Sequence, residues 1–163
     1  MASLSDPLVK NLLDGRYIAA LATQNSNGSI HMVAVWFLFD GSFIYVGTSG
    51  STRKARNAQA NANVSVMIDS REVAASCGAT VMGTAEMLTG DTAKQWVARI
   101  HQKYLSETAR ADPKVGPVFA AVDDVVFRIT PRSVFSWDME QIDQLYFSGA
   151  IGKNPSYLLP VER

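Results

Sequence analysis

The sequence predicts a mainly β fold with flanking helices, built as an antiparallel sheet closed into a small barrel. Three observations predict it. Short apolar segments rich in β-branched and aromatic residues recur at hairpin spacing from residue 17 to residue 137. Two of the intervening turns are Asn27-Gly28 and Asp40-Gly41, the dipeptides that two-residue hairpins favour. Strands and helices do not alternate as in a parallel sheet, and no GxGxxG segment is present, which argues against a Rossmann cofactor site.

The elements follow in order. Ser5 or Asp6 can cap a first helix with Pro7 at its first position; Leu8, Leu12 and Leu13 form its apolar face and Gly15 stops it. Tyr17 to Thr23 reads as a strand, Asn25 to Gly28 as a turn, and Ser29 to Phe39 as the next strand. Ser42 to Thr48 is a third strand, Ser51 to Ala60 a helix, and Asn63 to Asp69 a fourth strand. A strand pair or one bent strand runs from about Val73 to Leu88. Ala93, Trp96, Val97, Ile100 and Tyr104 share one face of the clearest helix, which opens after Thr89-Gly90-Asp91. A loop or short helix crosses to Val122, and Val125 to Thr130 and Ser133 to Trp137 are the last two strands. Gly152, Pro155 and Pro160 mark the tail as irregular. One domain over residues 1–149 with a C-terminal arm over 150–163 is expected.

Composition narrows the function classes. The chain has 163 residues, about the size of one domain, and 47% of them are apolar. Lys+Arg and Asp+Glu number 15 each, so no cationic surplus exists for a phosphate backbone, single-stranded nucleic acid included. The single cysteine, Cys77, supports neither a disulfide nor a thiolate metal site within one chain. The first six residues lack a signal-peptide pattern, and no apolar run approaches a membrane span of about 20 residues. A soluble cytoplasmic protein without membrane partners is expected.

Two segments carry candidate chemistry. Along Ile30 to Phe39, residues 31, 33, 35, 37 and 39 point one way and 32, 34, 36 and 38 the other, and both faces are mainly apolar. One face can fill a barrel. The other needs a helix, a second subunit or a flat apolar ligand. In Gly47-Thr48-Ser49-Gly50-Ser51-Thr52-Arg53-Lys54-Ala55-Arg56, a strand ends in small and hydroxyl residues and a helix begins. Helix-start N–H groups, hydroxyl donors and the Arg53 and Lys54 cations suit one phosphomonoester. The same residues also suit an ordinary capped helix with a solvated basic face. His31 and His101 have no partner at metal-ligand spacing, and no paired carboxylates or nucleophile elbow appear, so no catalytic residue is assigned. That absence fits chemistry carried by a cofactor.

These residues resemble a known family. The runs His31 to Trp36, Asp40-Gly41, Ile44 to Thr48, Arg53 to Asn57, Val64 to Val66 and Gly83 to Glu86 occur in order, followed by Arg128 to Pro131 and Ser136-Trp137. The set is similar to the pyridoxamine 5′-phosphate oxidase-like FMN-binding split barrels and their relatives that use the deazaflavin coenzyme F-420. The resemblance implies a six-stranded antiparallel split β-barrel and a homodimer with cofactor sites at its interface. It implies an oxidoreductase with FMN, or alternatively the deazaflavin, as cofactor and a nicotinamide as a candidate donor. It implies that Met32, Val33, Ala34, Val35 and Trp36 lie along the ring, that Thr48, Arg53 and Lys54 hold the phosphate with Ser49 and Ser51 nearby, and that Trp137 approaches the ring. The family's glutamine before the Gly-x-Ala-Glu strand is replaced by Cys77 to Thr80, and its Arg-x-His after the last tryptophan is missing. Those departures imply a substrate other than pyridoxamine 5′-phosphate. A flavin- or haem-binding protein without turnover, with His31 or His101 as the haem ligand, is the alternative class.

Overall fold

The computed structural model describes residues 2–70 and 76–160. The first helix, α1 (Pro7–Asp14), begins as expected: the Asp6 side chain accepts the Leu8 N–H at 3.0 Å, and Pro7 occupies the first turn. Then come β1 (Ala19–Gln24), β2 (Ile30–Val35), β3 (Leu38–Phe39), β4 (Ile44–Thr48), α2 (Arg53–Ala60), β5 (Asn63–Ser70) and β6 (Cys77–Leu88). After these follow α3 (Gly90–Tyr104), α4 (Glu107–Ala111), α5 (Gly116–Val122), β7 (Val125–Asp138), α6 (Met139–Phe147) and α7 (Ala150–Lys153), with a 3₁₀ turn at Pro155–Tyr157. The start of the strand expected from Val73 lies outside the described residues; its remainder is β6.

The sheet is antiparallel throughout and ordered β2-β1-β5-β6-β7-β4-β3. Seven strands replace the six expected. The run from Ser29 to Phe39 breaks at Trp36-Phe37, so β2 and β3, consecutive in the chain, lie on opposite edges of one sheet. The sheet therefore curls until its two edges are joined by two residues. The last two expected strands are instead one, β7. Its register against β6 shifts between Met82 and Gly83: Met82 faces Ser133 and Gly83 faces Pro131. The extra residue, Arg132, is a β-bulge, where a proline is tolerated within a strand. Gly83 fits because a Cβ there would stand 2.3 Å from the Thr130 carbonyl oxygen.

The concave side of the sheet buries Leu21, Phe37, Ile44, Val66, Ile68, Val81, Phe127 and Ile129 against Leu12 and Leu13 of α1. A smaller core forms where Ala93, Val97 and Ile100 of α3 pack on Tyr45 and Val126. Register defines the opposite face. Met32 and Ala34 of β2 face Ala22 and Ala20 of β1, which face Ser65 and Met67 of β5. Those face Met82 and Thr80 of β6, beside Ser133 and Phe135 of β7. This face is largely apolar yet open: Met32 is 61% exposed and Phe135 53%. The C-terminal region is more ordered than the expected irregular tail. Both oxygens of the buried Asp143 carboxylate accept backbone N–H groups, from Ile151 at 3.0 Å and Gly152 at 2.8 Å. That contact fastens α6 to α7. No helix among the described residues is long and apolar enough to cross a membrane.

Candidate functional site

The break between β2 and β3 leaves room for a cavity of about 300 Å³. Ile18, Ala34, Val35, Trp36 and Gly47 form its strand side; Phe119, Val122 and Asp123 close it from α5 and its end. Trp36 is fixed on three sides. Its ring stacks on Tyr104 at 5.1 Å and on Phe119 at 5.5 Å, and meets His101 edge-on at 6.2 Å. The Phe37 N–H, which has no strand partner at the break, donates to the Tyr104 hydroxyl at 3.4 Å. Burial raises the Tyr104 pKa, so this hydroxyl stays protonated.

Gly47 lines the cavity and opens the polar loop. Thr48 is buried, its hydroxyl 3.2 Å from that of Thr52. Thr52 donates to the Ser49 carbonyl at 2.8 Å and caps α2 by accepting the Ala55 N–H. The Ser49 and Ser51 hydroxyls pair at 3.0 Å. Arg53 is exposed and Lys54 half-buried at the start of α2. Burial lowers the Lys54 pKa, and the negative charge of Asp123 opposes that shift. No carboxylate among the described residues forms an ion pair with Lys54. A partly desolvated cation beside a hydroxyl-rich helix start, with Asp123 as its nearby negative charge, has the makings of an anion site.

The structure thus brings together Ala34, Val35 and Trp36 along the cavity with Thr48, Ser49, Ser51, Arg53 and Lys54 beyond Gly47. Val33 is half-buried beside them, and Met32 points away onto the open sheet face. Trp137 is on that open face too, packed over Gly78, and does not line the cavity of its own chain. Between β2 and Trp137 stand β1, β5 and β6.

Four participants were not visible in the sequence. Phe119 and Val122 come from a segment read only as a loop or short helix. Asp124 Oδ1 accepts the Gly50 N–H at 2.7 Å, and Asp123 Oδ2 lies 3.2 Å from His101 Nε2. An Asp-Asp pair in a loop has no sequence signal for such a role; its partners are 22 to 74 residues distant. His101 is buried and engaged with Asp123, while His31 is half-buried on β2. Among the described residues no three His, Cys, Asp or Glu side chains are grouped to hold a metal ion.

A family model described as pyridoxamine 5′-phosphate oxidase matches residues 5–138. Curated proteins give no match. Among solved structures, a conserved hypothetical protein from Mycobacterium tuberculosis is similar at a TM-score of 0.70, with 21% identity over 86% of this chain and 88% of that one. An F-420 reductase is similar at 0.61, with 20% identity over 77% and 94%. HutZ, the haem storage protein from Vibrio cholerae, is similar at 0.62, with 22% identity over 80% and 92%. At these identities the shared property is the fold.

Proposed function

The chain belongs to the pyridoxamine 5′-phosphate oxidase family, and on that premise we propose that it is an FMN-binding oxidoreductase that reduces a small substrate other than pyridoxamine 5′-phosphate. One observation carries the reading: an apolar cavity lined by Ala34, Val35 and Trp36 reaches Gly47, and the loop that follows Gly47 leads to the half-buried Lys54 at the start of α2. The ring side and the anion side of one amphipathic ligand are thereby adjacent. Ala34, Val35 and Trp36 would hold the ring, with Met32 and Val33 next to it. Thr48, Ser49, Ser51, Arg53 and Lys54 would hold the phosphate. The flavin supplies hydride or electron transfer when bound; the chain's own residues bind it, orient it and exclude water. No residue is assigned as acid or base.

The chain acts as a homodimer in this reading. The open face from β2 to β7 leaves Met32, Met82, Phe135 and Trp137 exposed, and it runs beside the cavity through Ala34. A second copy on this face would bring its Trp137 towards the neighbouring cavity, the role the family resemblance implies.

A deazaflavin reading is favoured by a separate observation. Asp123 and Asp124 lie against the loop, and two carboxylates repel a dianionic phosphomonoester more than the phosphodiester of coenzyme F-420.

Titration of the purified protein with FMN, coenzyme F-420 and haem, followed by visible absorption, tests the proposal. FMN or the deazaflavin should bind and should bleach with NAD(P)H under anaerobic conditions. Lys54→Ala should weaken FMN binding by about 1.5–3 kcal/mol, the contribution of a hydrogen bond to a charged group. Failure of both flavins to bind would refute it, and unchanged affinity in the variant would remove the phosphate assignment.

A further inference from the structure

We propose that the C-terminal arm from α6 onward closes the cavity of a second copy of this chain, with Leu145, Tyr146 and Phe147 seated on the other copy's Ile18, Val118 and Val122. The inference rests on the homodimer reading above and takes it further: each copy supplies an outer wall to the other's site.

The polarity of α6 is inverted for a helix in water. Its Asp143 carboxylate is buried against the Ile151 and Gly152 N–H groups, whereas Leu145 and Tyr146 are 74% and 72% exposed and Phe147 is exposed beside them. A helix that serves only its own domain turns its apolar side inward. The arm is nevertheless ordered. Ser148 and Gly149 take left-handed backbone, the Gly149 N–H donates to the Asp143 carbonyl at 3.1 Å, and α7 folds back on α6. Neither α6 nor α7 packs broadly on the sheet or on α1 to α5. The match to the family ends at Asp138, so the arm lies beyond the matched region.

Three observations direct the arm to a second copy. Phe135 and Trp137 lie exposed on the open sheet face and α6 begins at Met139, so the arm prolongs the face that the dimer reading covers. Its own cavity lies across β1, β5 and β6 from Trp137, and no arm residue lines it. Charge is complementary as well. Asp138 and Glu140 open α6, which holds no Lys or Arg, while α2 holds Arg53, Lys54 and Arg56 and no carboxylate. The cavity's outer side is also apolar and bare. Ile18 and Val122 line the cavity yet are exposed, and Val118 is exposed one helical turn before Val122. A helix of nine residues spans about 13 Å. Its acidic start and apolar end therefore address two patches, α2 and the rim on α5, which are joined where Asp124 accepts the Gly50 N–H.

Cross-linking between unlike chains tests this. An untagged chain with Leu145→Cys and a tagged chain with Val122→Cys, both carrying Cys77→Ser, are co-expressed, purified through the tag and treated with a short bismaleimide. A covalent pair of unlike chains, joined at residues 145 and 122 by mass spectrometry, is expected. Light scattering is read on the same sample. A dimer that gives no unlike pair would overturn the proposal and leave the dimer reading standing, as would a link formed within one chain that carries both substitutions. A monomer defeats both. The triple variant Leu145→Ser, Tyr146→Ser, Phe147→Ser should remain dimeric through the sheet face and release FMN about tenfold faster. Unchanged release from that dimer would overturn the cover, and if no FMN binds the cross-link alone decides.

Discussion

The Tyr104 hydroxyl donates to the Tyr17 carbonyl at 2.6 Å. The same oxygen accepts the Phe37 N–H, so one side chain from α3 satisfies two backbone groups that the sheet leaves unpaired. Phe37 lies where the chain crosses between the two edges of the sheet, and Tyr17 lies just before β1. The stack of Tyr104 on Trp36 then fixes the cavity wall at that crossing. A helix residue thus spans the gap between the edges of the curled sheet and shapes the candidate site as well.

Tyr104→Phe should therefore destabilise the fold by about 1–3 kcal/mol, because it strands a partly buried donor and acceptor while keeping the ring. Urea denaturation followed by circular dichroism measures this. A loss below about 0.5 kcal/mol would mean that water replaces the hydroxyl without cost.

Gly83→Ala tests the bulge that merges two expected strands into β7. The added methyl would meet the Thr130 carbonyl oxygen, a backbone atom that cannot swing aside. A loss of about 1–3 kcal/mol is expected, as for other overpacked sites. Gly28→Ala, whose Cβ meets nothing within 4 Å but whose φ is +84°, separates backbone strain from the clash.

The open sheet face predicts association. Met32→Lys and Phe135→Lys place charges on two strands of that face, where both native side chains are exposed. Light scattering should show the parent as a dimer and the double variant as a monomer of unchanged circular dichroism. A double variant that stays dimeric would place the interface elsewhere.

Lys103 offers a pH test. Burial depresses its pKa to about 8 from 10.5; Asp14 opposes the shift and Arg16 adds to it. Its ammonium lies 4.1 Å from the Phe37 ring centroid and donates to the Leu13 carbonyl. The folded state releases this proton more readily than the unfolded chain. The cost of burying the charge is therefore complete below pH 8 and fades as pH rises towards 10.5. Lys103→Met should be more stable than the parent at pH 7, and the gap should narrow steadily between pH 8 and 10.5. Thermal melts at fixed ionic strength read it directly, and a gap independent of pH would show that packing, not charge, is responsible.

Much of the fold was legible in the sequence because its signals are local. Asn27-Gly28 and Asp40-Gly41 set hairpin turns, Asp6-Pro7 started α1, and the helical spacing from Ala93 to Tyr104 marked α3. The strand count was not legible. Nothing local to Trp36-Phe37 marks a break, because both residues suit a strand; the break arises from pairing to β1 on one side and β4 on the other. Pro131 read locally as a divider between strands, whereas the bulge opposite Gly83 carries the strand through it. Residues 139–147 were given no element, since the Asp138 cap and the contacts of Asp143 with Ile151 and Gly152 are visible only once the chain has folded back.

The candidate site divides in the same way. By itself the sequence determined the chemistry on offer: an apolar strand, a hydroxyl-rich loop and the cations that begin α2, all within one stretch from Met32 to Arg56. Side-chain type and strand period decide these, and both are local. Only the tertiary structure decided what faces that stretch. Phe119 and Val122 wall the cavity, Asp123 and Asp124 sit on the loop, and three strands separate Trp137 from β2. Contacts between residues tens of positions apart depend on sheet order and curl, which are set by pairing across the whole chain rather than by any one segment.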